Sequence, residues 1–235
     1  MNTTNNATPS GGDSVLTTLR SLLPPRRLYL SEALRIAELQ AQRLLVLRDI
    51  TDLPVPVEVV TELPRVVVEY DPDLPNHAAS GSSSWDVPRR AWVIALNPDE
   101  PATRQRFTVL HEYKHIIDHY HPGLGGRLPT TLYGLTPVEY VAEYFAGCVL
   151  MPRRFVKAAY YDGIQRLADL AELFDVSGRA MEVRLDQLGL ADPKSRTLSG
   201  PKRSGYRPQP KPWRGTYRRP LSQAWTPARP EEVAA

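Results

Sequence analysis

The chain has 235 residues, 42% of them hydrophobic, and a formal net charge of +3. That length predicts one domain or two, and the composition supports an ordinary buried core. No apolar run approaches the roughly 20 residues that span a bilayer, the start MNTTNNATPSGGD lacks the pattern of a signal peptide, and the single cysteine, Cys148, forms no intrachain disulfide, so a membrane protein, a secreted protein and a disulfide scaffold are disfavoured and a reducing cytoplasm is expected. The charge is unevenly spread: residues 1–200 carry 21 basic and 24 acidic residues, whereas residues 201–235 carry 8 basic and 2 acidic. The basic character therefore belongs to the last 35 residues, and the body is not a basic nucleic-acid-binding domain.

Residues 1–12 are polar and read as disordered. A short helix is expected over 14–23, stopped by Pro24 and Pro25. Ser31 is a candidate N-cap for a helix over 32–47, whose stripe is Leu34, Ile36, Ala37, Leu39, Leu44 and Leu45. Residues 55–60 and 66–70 are β-branched and predict strands, 76–84 (NHAASGSSS) predicts a polar loop, and 91–96 (AWVIAL) predicts another strand. A helix follows over 101–120, with Asp99 as N-cap and Pro101 near its first turn. The glycines and prolines of 122–135 predict a loop, and 137–150 a second helix ended by Met151 and Pro152. Helical pattern continues over 153–189, and residues 201–235, with seven prolines, read as a disordered tail.

The informative segment is RFTVLHEYKHIIDHYH, 106–121, which contains HExxH as His111, Glu112, Tyr113, Lys114 and His115. On a helix, positions i and i+4 share a face. Two imidazoles there can bind one Zn²⁺, and the glutamate beside the first can serve as general base on water. At this composition roughly 0.006 chance matches to the pattern are expected. The competing reading makes His111 and His115 ordinary histidines of an amphipathic helix.

A catalytic zinc needs a third protein ligand. His121 stands ten residues after His111, as in HExxHxxGxxH, but Asp118 occupies the glycine position that would let the chain turn. Glu139, on the helix over 137–150, is the other candidate; it also fits position N3 of a capping box that begins at Thr136. Glu143, one turn later, could orient a ligating histidine, replace Glu139 as ligand, or simply lie on the surface.

The segments LPVPVEVV, VEYDPDLP, WVIALN, RQRFTVLHEYKH, VEYVAEYFAGCVLMP and FDVSGRAMEVRLDQLGL, in this order over residues 30–190, resemble the ImmA/IrrE family of zinc metallopeptidases. The resemblance implies that His111, His115 and Glu139 hold zinc and that Glu112 is the catalytic base. It supports Glu139 over His121. Glu143 stands where that family usually has Asn, and Val149 where it often has Leu; neither departure removes a catalytic group. The resemblance also implies the substrate class, a helix–turn–helix (XRE-type) repressor.

Segment 167–190 has a helix–turn–helix look, with Ser177 as N-cap, but its acidic residues outnumber Arg179 and Arg184, so structural support is favoured over DNA contact. Arg104 and Arg106 read as a solvated basic face, Cys148 as a small buried residue, and His77, His119 and His121 as non-ligating. Tyr133 and Tyr140 are candidate oxyanion donors. The tail interleaves basic residues with Tyr206, Trp213, Tyr217 and Trp225, which allows nucleic-acid stacking but does not require it.

The expected fold is α+β: a small, mostly antiparallel sheet packed on helices, a zincin-like HExxH helix plus a glutamate-ligand helix, and C-terminal helix–turn–helix-like helices. The expected organisation is a disordered 1–12, a metallopeptidase domain over 13–152, a helical module over 153–190 and a basic tail over 191–235. The expected function is a zinc-dependent, narrow-specificity regulatory endopeptidase. The alternative is a non-cleaving, metal-stabilised regulator that binds a repressor or DNA.

Overall fold

The computed structural model describes residues 15–74, 79–119, 121 and 136–190. The expected disordered start, the tail, the loop over 122–135, His77 and Tyr133 lie outside the described residues. The chain runs α1 (Val15–Arg20), α2 (Leu30–Leu47), α3 (Glu58–Thr61), β1 (Val66–Tyr70), β2 (Gly81–Asp86), β3 (Ala91–Leu96), α4 (Ala102–Asp118), α5 (Pro137–Leu150), α6 (Arg153–Tyr161), α7 (Leu167–Phe174) and α8 (Gly178–Leu188). The fold is α+β, with a small mixed sheet among helices.

The strands lie in the order β1-β3-β2. The β2–β3 hairpin returns the chain to the centre of the sheet, so β3 pairs antiparallel with β2 and parallel with β1. One pairing of each kind makes the sheet less antiparallel than expected. Trp85 and Trp92 face each other across the hairpin register, their ring centroids 5.5 Å apart edge to face.

Two elements differ from their sequence expectation. Residues 55–60 form no strand: Val57 leads into the single turn of α3, and the successive residues Val59 and Val60 are both buried. A strand would point that pair to opposite faces, and Pro54 and Pro56 have no N–H to give a ladder. Conversely, the last four residues of the expected loop 76–84 belong to strand β2. Its Gly-Ser-Ser-Ser run has no apolar alternation because β2 is an outer strand with partly exposed side chains.

Helix starts also shift. α2 begins at Leu30, not after Ser31: Tyr29 is the N-cap, and its N–H donates to the Glu32 carboxylate at 3.0 Å. α4 begins after Pro101, not Asp99, and Gln105 reaches back to donate to the carbonyls of Asn97 and Glu100 at 3.2 and 2.9 Å. The last carbonyls of α4 are satisfied by Arg20, which donates to Ile116 and Ile117 at 2.6 and 3.2 Å. Thr136 caps α5 and Ser177 caps α8, both as expected.

Among the described residues the core is one apolar cluster that draws on each of the helices α1 to α8 and on the sheet. The alanines of α2 (Ala33, Ala37 and Ala41) are buried and let it pack closely on α5. Leu170 and Phe174 of α7 and Met181 of α8 belong to the same cluster. Arg106, expected on a solvated face, is instead buried: it donates to the Val55 carbonyl at 2.6 Å and pairs with Asp175 at the α7–α8 corner. Burial lowers the pKa of its guanidinium, while the Asp175 charge opposes that shift. Arg106 thus ties the HExxH helix to the C-terminal helices.

Candidate metal centre

His111 and His115 stand one turn apart on α4, as the i, i+4 spacing requires. Their rings lie edge to face with centroids 4.7 Å apart, and their Nε2 atoms approach to 3.0 Å. α5 brings Glu139 against the pair: Oε2 lies 3.0 Å from His111 Nε2, and Oε1 lies 3.5 Å from His115 Nε2. One ligand atom from each of the three residues falls within 4.8 Å of the others. Donors held tetrahedrally at Zn distances of about 2.0–2.1 Å would themselves be about 3.3 Å apart. The two imidazoles and one carboxylate therefore fit a divalent metal such as zinc in both donor type and spread.

The two sequence readings of Glu139, cap and ligand, divide between its two ends. Its backbone N–H donates to the Thr136 hydroxyl at 3.3 Å, so it sits at N3 of a capped helix. Its carboxylate turns to the histidines, and the bond from His111, then that from His115, holds it well below the usual carboxylate range. For His115 burial is the largest influence and lowers the pKa, yet the hydrogen bond and charge of Glu139 with the charges of Glu112 and Asp118 raise it on balance.

Glu112 is not one of these three, though its charge acts on His115. It is 8% exposed and accepts a hydrogen bond from the Ser83 hydroxyl of β2 at 2.9 Å. Sequence reasoning missed Ser83 because it fell in the expected loop. The signal was the hairpin, with a tryptophan on either side of the Val87–Arg90 turn. Ser83 reaches Glu112 because β2 lies close to α4 at Gly81: a Cβ there would sit 2.5 Å from Thr108 Cγ2 and 2.9 Å from the Ala95 carbonyl oxygen. Only glycine fits that approach.

The other candidates separate. His121 is turned away from the cluster and bonds the Pro24 carbonyl at 2.9 Å, so it is not the third member. Glu143 is half-buried and makes no hydrogen bond to either histidine. Tyr140 is half-buried on α5 beside Glu139. His119 packs edge to face on Trp92 at 4.7 Å. The two interior positions of the motif are buried: Tyr113 lies in the core, and Lys114 pairs with Asp118 at 2.6 Å.

No curated protein matches the chain. A solved structure, a Mycobacterium tuberculosis transcriptional regulator, is similar with a TM-score of 0.47 and 19% identity over 78% of this chain and 54% of that one. The chain thus spans about half the length of that regulator. Residues 67–186, about half of the sequence and all four elements of the hairpin and helix pair around the cluster, match the peptidase M78 model, the IrrE N-terminal-like domain. The chain belongs to this metallopeptidase family.

Proposed function

We propose that the protein is a zinc-dependent endopeptidase that cuts one or a few regulatory proteins in the cytoplasm, with a helix–turn–helix repressor as substrate. The observation that carries this reading is the pairing of a converged His111–His115–Glu139 cluster with a separate carboxylate, Glu112, held beside it by Ser83. A merely structural metal site has no need of that fourth group.

His111 Nε2, His115 Nε2 and a Glu139 oxygen would hold the metal. Zinc supplies Lewis acidity toward a water molecule and toward the scissile carbonyl when bound there. Glu112 takes a proton from the attacking water and delivers it to the departing amine nitrogen as the C–N bond breaks and the water oxygen bonds to carbon. Ser83 holds Oε2, which leaves Oε1 to carry that proton. Among the described residues β2 pairs with β3 alone, so an extended segment of substrate can add to its other edge. That edge runs beside Glu112, and the segment cut must therefore be extended rather than helical.

The Glu112→Gln variant tests the reading. It keeps the three ligand residues and should retain zinc, yet cleavage of the cognate repressor should fall by about 10²–10⁴-fold and the target genes should stay repressed. A zinc-loaded variant that derepresses as well as the wild type means the protein acts by binding alone.

A further inference from the structure

At the far end of α5 from the metal cluster a second cavity opens, with a volume of about 420 Å³. Glu139 stands in the first turn of α5 and Cys148, which lines this cavity, in the last. Nine residues of helix, about 14 Å, separate them.

The cavity is lined by four cationic side chains, Arg153, Arg154, Lys157 and Arg184, and one carboxylate, Glu38. Glu38 is already engaged: it pairs with Arg153 at 3.3 Å and accepts from the Tyr144 hydroxyl at 3.4 Å. Arg184 is 1% exposed, and among the described residues no carboxylate lies within ion-pair distance of it. It donates instead to the Met151 carbonyl at 3.0 Å and the Gln187 side chain at 3.2 Å. Lys157 is half-buried and has no acidic partner among the described residues. Arg154, at the exposed rim, donates to the Ile50 carbonyl at 2.9 Å and lies over the Phe155 ring. Burying a cation without a counter-charge is costly, so an anion has Arg184 to meet here, with Lys157 and Arg154 nearer the surface.

A second observation points to the same ligand. α6 starts in this wall with Pro152 as N-cap and no side-chain cap, and no acidic residue occupies its first turn. The N–H groups of Arg153 and Arg154 find no acceptor among the described residues. Such a helix start favours an oxyanion, and guanidinium forks match its oxygens. α2 adds an apolar pair, Leu45 and Val46, to the lining beside its polar Glu38 and Gln42.

We propose that this cavity binds a small organic phosphate, its phosphate on Arg184, Lys157, the Arg154 side chain and the start of α6, and its apolar part on Leu45 and Val46. The assignment is independent of any peptidase activity.

Calorimetric titration of the full chain at low ionic strength tests it, with phenyl phosphate, inorganic phosphate and benzoate as probes. Phenyl phosphate should bind with unit stoichiometry, more tightly than inorganic phosphate, which lacks the apolar part, and more tightly than benzoate, which lacks the phosphate. Lys157→Ala and Arg154→Ala, both at the cavity rim, should each weaken it about tenfold, the loss of one charge-assisted contact, and Arg184→Met should abolish binding. If Arg184→Met does not fold, the Lys157→Ala, Arg154→Ala double variant decides. Three results overturn the proposal: no heat with phenyl phosphate at millimolar concentration, undiminished binding in the double variant, which places the ligand at the metal cluster or elsewhere, or benzoate binding as tightly as phenyl phosphate.

Discussion

The two ends of α5 solve opposite electrostatic problems. At the first turn, Glu139 brings one carboxylate to two imidazoles, and the three converge on a single point. At the last turn, four cations face one carboxylate across an open cavity, and the most buried of them, Arg184, meets only neutral groups. The first end is assembled for a small cation and the second is short of an anion. One helix can serve both because its middle, Phe145 and Ala146, is fully buried in the shared core and fixes the two ends together.

Variants that act on one end and spare the other sharpen this comparison. The largest effect is expected from Glu139→Ala, which removes the one carboxylate of the cluster; if the cluster is the proposed zinc site, the purified protein should carry substoichiometric zinc by metal analysis and show no measurable cleavage. Its thermal melting without metal should stay close to wild type, because the Glu139 side chain contributes nothing to the apolar core. Next comes Phe145→Ala, which empties a fully buried aromatic site between the ends. It should cost about 3–5 kcal/mol in denaturant unfolding, and both ends should fail together.

Smaller effects test finer points. Ser83→Ala removes the hydrogen bond that holds Glu112 and should lower kcat about tenfold, a little over 1 kcal/mol. Zinc content and KM should be unchanged, and an equal loss of zinc would mean that Ser83 serves the fold instead. The smallest signal concerns Cys148. Burial, the largest cause, pushes its thiol up to about 11, against the nearby Arg184 charge. At pH 8 the folded protein should hold about one thiolate in a thousand, so iodoacetamide should label Cys148 only after unfolding. The unfolded thiol ionises near its ordinary pKa while the folded one keeps its proton. Its contribution to stability is present below about pH 9 and is lost as pH rises toward 11.

What the sequence disclosed depended on how each element meets its neighbours. α4 and α5 were legible because their apolar stripes face a core on one side, and because HExxH and a capping threonine mark positions that geometry alone enforces. α3 misled because valines favour strands only where a strand has a partner, and here two prolines and a double burial select a helical turn. β2 was hidden for the opposite reason. An outer strand with polar residues on both faces carries no alternation, and its pairing is set by β3, not by its own side chains. Ser83 was lost with it. Arg106 and Arg184 show the same limit for charge: arginine reads as surface, and only the tertiary fold reveals that one crosses to Val55 and Asp175 and the other to Met151.

The contact at Gly81 has a consequence for the history of such chains. A side chain at 81 has no room against either Thr108 or the Ala95 carbonyl, so the approach of β2 to α4 constrains both positions. The two positions lie 27 residues apart in the sequence and on different elements, yet neither is free to drift alone. Family members that keep a serine beside the HExxH glutamate should therefore keep glycine at 81, because the Ala95 carbonyl blocks a Cβ there whatever stands at 108, and chains that lose this glycine should have lost the serine as well.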